Sequence, residues 1–199
     1  MKLIGITGPT GAGKTTALGA LEDLGVYVID ADAVYHRLLA ESAPLRRALA
    51  DRFGAEILDG AGMLDRKRLG AAVFADPAAL EALNGVTGPF IRAELDRLCA
   101  QAAAEGRHAA VDAIGLIESG IGARCHAAVA VLAPRHVRIR RIMEREGISY
   151  EYALSRVEAQ KGEDFFRAHC PHVLVNDGSK TPAQFRAEAL ALFRRLLAE

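Results

Sequence analysis

A glycine-rich run near the amino end has the residue types of a phosphate-binding loop. Residues 8–15 read Gly-Pro-Thr-Gly-Ala-Gly-Lys-Thr and fit the pattern GxxxxGK followed by Ser or Thr. Glycines let successive backbone N–H groups turn toward phosphate oxygens, and the positive end of a following helix adds to the attraction. Lys14 would reach the outer phosphates, and the Thr15 hydroxyl would take one Mg²⁺ coordination position. The run therefore predicts a site for a purine triphosphate with Mg²⁺.

The alternative is a glycine turn that only joins a strand to a helix. Such a turn explains the glycines, but it does not explain why Lys14 is followed by Thr15 and Thr16. We therefore expect the triphosphate to be bound by Gly11, Ala12, Gly13, Lys14, Thr15 and Thr16.

Carboxylates follow the second and third apolar runs, at the edge of a sheet where open α/β folds bind ligands. Asp32 is the candidate base that orients an acceptor hydroxyl and takes its proton, whereas Asp30 is better placed to cap the next helix. Asp112 would either complete the Mg²⁺ shell or cap the next turn. Glu118 would serve either the substrate or a helix start.

Three arginines recur on the helix predicted after the fourth strand. Arg138, Arg141 and Arg145 stand at i, i+3 and i+7, which places them on one helix face. They form either a solvated stripe or a set that neutralises charge on a transferred phosphoryl group, and their position beyond the loop favours the second interpretation. A second helix over about residues 150–160 completes a hairpin. Residues from about 135 to 170 are therefore predicted to form a small helical lid that excludes water.

The elements that must position these residues alternate along the chain. Helical patterns lie between short apolar runs, and the last helix begins with Thr181 as N-cap, Pro182 and Gln184 in a capping box. The alternation predicts an α/β fold, a parallel sheet with helices on both faces. The five predicted strands are 2–7, 26–29, 108–113, 127–132 and 172–175.

One connection is far longer than a single helix requires. Residues 30–107 separate the second and third strands, and a helical insertion over about residues 33–105 accounts for them. Its predicted helix starts are Asp65, Asp76 with Pro77, and Pro89, which would open a long helix. We expect one domain, residues 1–199, that carries this insertion.

Composition and charge exclude several classes of protein. The 25 basic and 25 acidic residues cancel, so no overall positive field gathers nucleic acid and no basic tail binds anionic lipid. No run reaches the roughly 20 apolar residues of a membrane span, and the amino end lacks the apolar core of a signal peptide. The cysteines Cys99, Cys125 and Cys170 lack the spacing of a zinc site, and the six histidines lack ligand spacing. We expect a cytoplasmic monomer that acts on small molecules.

With these residues in place, the chain resembles the dephospho-CoA kinase family over nearly its whole length. The resemblance rests on an ordered series of short motifs rather than on the phosphate-binding loop alone. Beyond residues 5–15, the series comprises residues 23–32, Phe53-Gly54, Leu64-Asp65-Arg66, Val73-Phe74, Leu83-Asn84, residues 111–113, Glu118-Ser119-Gly120, Arg141 to Arg145, Gln160 and Val173 to Gly178.

The resemblance implies a P-loop kinase core and a reaction. ATP with Mg²⁺ would be the phosphoryl donor and the ribose 3′-hydroxyl of dephospho-CoA the acceptor, which is the final step of coenzyme A synthesis. Asp32 matches the family's proposed base, and Arg141 matches the first arginine of its lid helix. Asn176 and Gly178 match the stretch near the adenine of ATP. The insertion resembles the family's acceptor-binding helical domain.

Two other functions stay open at this point. The family's usual residues are replaced at Thr87-Gly88-Pro89, at residues 114–117 and at Cys170-Pro171. Gly88 and Gly115 remove side chains from the supposed acceptor pocket, which is compatible with a related small-molecule or nucleoside monophosphate kinase. The other open hypothesis is a nucleotide-binding regulator without turnover, but such a protein needs no acceptor base.

Overall fold

The computed structural model follows the predicted alternation of strands and helices. It describes residues 1–73 and 76–199, so that Phe74, one of the residues on which the family resemblance rests, lies outside the described residues. The chain forms two compact units. One comprises Met1–Ile29 with Gln101–Glu199, and the other comprises Asp30–Ala100.

The first unit is built on a five-stranded sheet with the order β2-β3-β1-β4-β5. Its strands are β1 Leu3–Thr7, β2 Tyr27–Asp30, β3 Ala109–Asp112, β4 Ala127–Leu132 and β5 His172–Val175. The pairs β1 with β3, β1 with β4 and β4 with β5 are parallel. The predicted five-stranded parallel sheet is confirmed. Each strand begins and ends within one residue of its predicted position.

The register of the central strands places two chemically important positions next to each other. Asp112 at the end of β3 pairs with Ile6 of β1, directly before the glycine-rich loop. Gly8, the first residue of that loop, has a φ of +141°, and a Cβ there would lie 2.1 Å from the carbonyl oxygen of Val131. Only glycine therefore lets the chain leave β1 this close to β4.

Helices α1 and α9 pack together and cover the same apolar core of the sheet. The helices of this unit are α1 Lys14–Asp23, α6 Arg135–Glu146, α7 Tyr150–Glu158, α8 Glu163–His169 and α9 Pro182–Ala198. Phe185 and Phe193 of α9 are fully buried against Ile4 and Ile6 of β1 in one cluster. The predicted capping box of α9 is confirmed, because Thr181 and Gln184 bond each other's backbone N–H groups.

The second unit is helical and has its own apolar core. Its helices are α2 Ala31–Glu41, α3 Ala43–Phe53, α4 Arg66–Val73 and most of α5 Pro77–Ala104. The predicted caps hold, since Asp30 accepts from Ala33 N at 2.9 Å and Asp65 accepts from Arg68 N at 3.1 Å. The buried core comprises Leu39, Leu45, Leu49, Ile57, Leu69, Val73 and Leu83.

The prediction that Pro89 begins a helix is wrong. Pro89 lies inside the 28-residue helix α5, where its ring removes the hydrogen bond to the carbonyl of Gly85. Thr87 does not cap a new helix, because its hydroxyl donates to Leu83 O at 2.9 Å inside the same helix. Burial of Leu83 and Leu95 on either side of the proline offsets the lost bond, which costs about 3 kcal/mol. Among the described residues, no helix combines the length and apolarity of a bilayer crossing.

Candidate active site

The glycine-rich loop joins β1 to α1 and presents its backbone at the start of that helix. Gly13 is the N-cap residue of α1 in a left-handed conformation, with φ at 100°. Lys14 is the first helical residue, and Thr15 follows it. Ala12 N donates to Pro9 O at 3.2 Å, which closes the turn. The loop therefore ends at the positive end of α1, the part of a helix whose N–H groups bind anions.

Arg141 and Asn176 bind carbonyl groups of the loop. Arg141 Nη1 donates to Gly11 O at 3.2 Å and to Ala12 O at 3.4 Å, and its Nη2 donates to Asn176 Oδ1 at 2.9 Å. Asn176 is buried, and its Nδ2 donates to Ala12 O at 3.1 Å. The two side chains thus bind the carbonyls on one side of the loop, which leaves the N–H groups to the other.

Two further carbonyls of the loop accept hydrogen bonds from cationic side chains. Lys14 Nζ donates to Gly8 O at 3.1 Å, and Arg138 Nε donates to Thr10 O at 2.9 Å. Burial lowers the pKa of both Arg138 and Arg141 from the usual arginine value, yet the guanidinium stays charged at neutral pH. These cations keep carbonyl oxygens away from an incoming phosphate.

A cavity of about 350 Å³ opens over the loop. Its walls come from the loop, from the end of β3 and from the α6–α7 hairpin. The lining residues are Pro9, Thr10, Gly11, Gly13, Lys14, Thr15, Asp112, Ile114, Arg141, Arg145 and Arg156. Lysine and arginine side chains outnumber the single carboxylate in this set. A chain without net charge therefore concentrates positive charge at one cavity.

Two of the lining arginines share a carboxylate at the end of the hairpin. Arg145 Nη2 donates to Glu146 Oε1 at 2.6 Å, and Arg156 Nη1 donates to Glu146 Oε2. These hydrogen bonds lower the pKa of the Glu146 carboxyl below its usual value. The pairing holds Arg145 and Arg156 side by side at the cavity wall.

Most of the residues predicted to contact the triphosphate do meet at this cavity. Gly11, Gly13, Lys14 and Thr15 line it together with Asp112 and Arg141. Ala12 is a buried residue of the loop, and its carbonyl accepts hydrogen bonds from Arg141 and Asn176.

Thr15 and Asp112 supply hard oxygen donors to the same cavity, which are the ligands that Mg²⁺ prefers.

Thr16, Gly178 and Glu118 of the first unit do not line the cavity. Thr16 is half-buried on α1. Gly178 follows β5 with φ at +90° and lies nearest to Val137 and Arg140. Glu118 is exposed in the turn over residues 114–119, and no helix begins at it. Asp32 belongs to the helical unit, where it is exposed in the first turn of α2.

Sequence reasoning missed Arg156 and misjudged Arg138. Arg156 lines the cavity from α7. The predicted helical hairpin could have indicated this residue, because the second helix of a hairpin returns along the first and brings its side chains near Arg145. Arg138 shares a helix face with Arg141, yet it is only 6% exposed and binds the loop rather than solvent. Helical spacing alone does not reveal what lies opposite a face.

Comparison with known proteins agrees with this geometry. The family model described as dephospho-CoA kinase matches residues 2–181. The chain belongs to the dephospho-CoA kinase family. The resemblance inferred from the sequence is therefore confirmed, and so is the P-loop kinase fold class.

Relatives cover nearly the whole chain. The dephospho-CoA kinase of Xanthomonas euvesicatoria pv. vesicatoria is 39% identical over 193 residues, which are 96% of this chain and 93% of that protein. The dephospho-CoA kinase of Anaeromyxobacter dehalogenans is 38% identical over 191 residues, 96% of this chain and 90% of that protein. The crystal structure of TT1252 from Thermus thermophilus has a TM-score of 0.79 at 34% identity, covering 98% of this chain and 96% of that one.

We predict that Gly13→Ala disrupts the loop of this dephospho-CoA kinase family member. A Cβ at Gly13 would lie 2.2 Å from Asn176 Nδ2, so the amide that holds Ala12 must move. We expect ATP affinity to fall at least about tenfold by calorimetry, the effect of losing one or two hydrogen bonds to charged or buried groups.

Gly25→Ala is the matched control for this substitution. Gly25 also has a positive φ of +73°, but nothing lies within 4 Å of its Cβ position. Backbone strain alone should lower the free energy of unfolding by about 1 kcal/mol and leave ATP affinity unchanged. Equal ATP affinities for the two variants would contradict the assigned role of the Asn176 contact.

Proposed function

We propose that this chain transfers the γ-phosphoryl group of ATP to the ribose 3′-hydroxyl of dephospho-CoA and so forms coenzyme A. Membership of the dephospho-CoA kinase family supports this reaction. The observation that carries the proposal is the cation-lined cavity over the glycine-rich loop, with Thr15 and Asp112 on its walls. The chain is a phosphotransferase with an alcohol group as acceptor.

The donor half of the site binds the triphosphate. Loop N–H groups and the start of α1 would hold the phosphates, and Lys14 would reach the outer ones. Thr15 and Asp112 would hold Mg²⁺, which supplies neutralisation of charge on the phosphate oxygens. Arg141 and Arg145 would stabilise the negative charge of the γ-phosphoryl group during transfer.

The acceptor half supplies the nucleophile and removes its proton. Asp32 would accept a hydrogen bond from the 3′-hydroxyl and take its proton as the oxygen attacks the γ-phosphorus. The bond from that phosphorus to the bridging oxygen breaks, and ADP leaves. We assign acceptor binding to Glu118 and to the insertion over about residues 33–105, and water exclusion to the lid over about residues 135–170.

The adenine is assigned to the segment after β5. The side-chain amide of Asn176 is hydrogen-bonded to the loop and to Arg141. Asn176 would therefore contribute to ATP binding by fixing the loop. Gly178 has no Cβ, and Val137 and Arg140 flank its position, which provides an apolar contact and a cation for a purine ring. We propose that the enzyme acts as a cytoplasmic monomer.

A coupled assay of ADP release tests the acceptor. We expect turnover with dephospho-CoA and MgATP, and only background release without an acceptor or with AMP. Removal of Mg²⁺ by a chelator should abolish the signal. Release with AMP and none with dephospho-CoA would assign the chain to nucleoside monophosphate kinases instead. Tight ATP binding without turnover on either acceptor would also overturn the proposal.

Asp32→Asn tests the proposed base. The amide keeps the size of the side chain but cannot take the proton, so we expect kcat to fall about 10²- to 10⁴-fold. ATP affinity should stay within about twofold, because an acceptor base does not bind the donor. Asp51→Asn, at another exposed aspartate of the helical unit, is the matched control and should leave kcat at saturating dephospho-CoA unchanged. A near-normal kcat for Asp32→Asn would remove the assignment.

Arg156→Met tests the arginine that the sequence did not reveal. The substitution keeps the unbranched stem and removes a charge from the cavity wall, so we expect the KM for ATP to rise about tenfold with a lower kcat. Arg167→Met is the control, since Arg167 is also a helical arginine paired with a glutamate, but on α8. A normal KM and kcat for Arg156→Met would exclude contact between Arg156 and the phosphates.

A further inference from the structure

Gln160, between α7 and α8, makes a two-point contact with one residue of the phosphate-binding loop. Thr10 N donates to Gln160 Oε1 at 3.1 Å, and Gln160 Nε2 donates to Thr10 Oγ1 at 2.9 Å. A primary amide supplies an acceptor and a donor at fixed spacing, so both bonds form in one orientation only. The contact therefore fixes both the position and the rotation of Thr10 relative to the end of α7.

Arg138 closes this contact into a ring. Its Nη2 donates to Gln160 Oε1 at 2.6 Å, while its Nε donates to Thr10 O at 2.9 Å. Arg138 is only 6% exposed, so its charge needs acceptors inside the protein. Gln160 Oε1 is one acceptor and the Thr10 carbonyl is another. Loss of the glutamine amide would therefore remove three of the four hydrogen bonds that connect these residues.

The ring connects the loop to the hairpin that carries the cavity arginines. Helices α6 and α7 pack through a buried cluster that includes Ile142, Ala153 and Val157. The same hairpin places Arg145 and Arg156 on the cavity wall, and Thr10 lies on that wall too. Gln160 lies two residues beyond the end of α7, so a shift at Gln160 moves the loop and the hairpin relative to each other.

We propose that Gln160 is a positioning residue that keeps the phosphate-binding loop in register with the arginines of the α6–α7 hairpin. It acts through Thr10 and Arg138 and does not line the cavity. Without Gln160, the loop must become ordered when the nucleotide binds. The free-energy cost of that ordering lowers the affinity for ATP. The inference rests on the proposed function only in taking ATP as the ligand of the cavity.

A cycle of four proteins tests this role: the unaltered enzyme, Gln160→Met, Thr10→Val and the double variant. Methionine keeps the side-chain length and valine keeps the branching, while both remove the hydrogen bonds between the side chains. The readouts are the ATP dissociation constant without acceptor, both KM values, kcat and the free energy of unfolding in urea.

We expect Gln160→Met to raise the ATP dissociation constant and KM about tenfold, the effect of losing hydrogen bonds to a charged group. The KM for dephospho-CoA should stay within about twofold. Thr10→Val should raise the ATP values less, because the backbone contacts of Thr10 remain. The double variant should resemble Gln160→Met alone, since the two substitutions remove the same bond.

Gln101→Met is the matched control. Gln101 is an exposed helical glutamine bonded to Glu105 on α5, away from the phosphate-binding loop in sequence, and its loss should leave the ATP dissociation constant and the KM for ATP unchanged. Unchanged ATP affinity in Gln160→Met, or effects of Gln160→Met and Thr10→Val that simply add, would overturn the proposal. So would an equal rise in both KM values, which indicates a general loss of structure.

The test of Gln160 can be judged independently of the test of the proposed reaction. ATP affinity is measured without an acceptor, so it reports on Gln160 even if dephospho-CoA is not the substrate. If Gln160→Met does not fold, Thr10→Val and Thr10→Ser decide the matter, because serine keeps the hydroxyl. ATP affinity that falls in Thr10→Val and is kept in Thr10→Ser supports the contact, and equal affinities of the two variants contradict it.

Discussion

A phosphate-binding loop works only if its carbonyl oxygens point away from the ligand. Peptide groups carry a donor and an acceptor on opposite sides, so N–H groups converge on one side when carbonyls are held on the other. In this protein the carbonyls of Gly8, Thr10, Gly11 and Ala12 accept hydrogen bonds from side chains. The donors come from α1, from α6 and from the end of β5, so the fold itself sets the loop's polarity.

This requirement explains why some cations around the loop are buried while others line the cavity. Arg138 is buried and has an orienting role, whereas Arg145 and Arg156 line the cavity and are paired with Glu146. Arg141 lies between these extremes, since it binds loop carbonyls and also lines the cavity. Helix α6 therefore supplies both the arginines that support the loop and part of the positive charge of the cavity wall. The packing of α6 against α7 keeps these arginines in a fixed arrangement.

Local signals in the sequence predicted most of the fold. The strands and the caps at Asp30, Asp65 and Thr181 depend on apolar runs and on bonds within a few residues, which a sequence displays directly. Pro89 was misjudged because burial on both sides of a proline outweighs one lost bond, and burial is a tertiary property. Strand order, which puts Asp112 beside Ile6, depends on long-range pairing and has no local signature.

The site was predicted less completely for the same reason. The loop residues belong to one short motif, but Arg156 comes to the cavity only through the packing of α6 against α7. Likewise, the spacing of Arg138 and Arg141 predicts a shared face and says nothing about the loop opposite it. The predicted roles of Asp32, Glu118 and Gly178 depend on bound substrates and stay predictions.

The carboxylate of Glu146 accepts a hydrogen bond from Arg145 and another from Arg156, and each guanidinium keeps further N–H donors for a phosphate oxygen. The negative charge between the two cations offsets their mutual repulsion, so that they lie together on the cavity wall without a bound anion. The wall is therefore arranged for a polyanion in advance, and less binding free energy is lost in ordering these side chains.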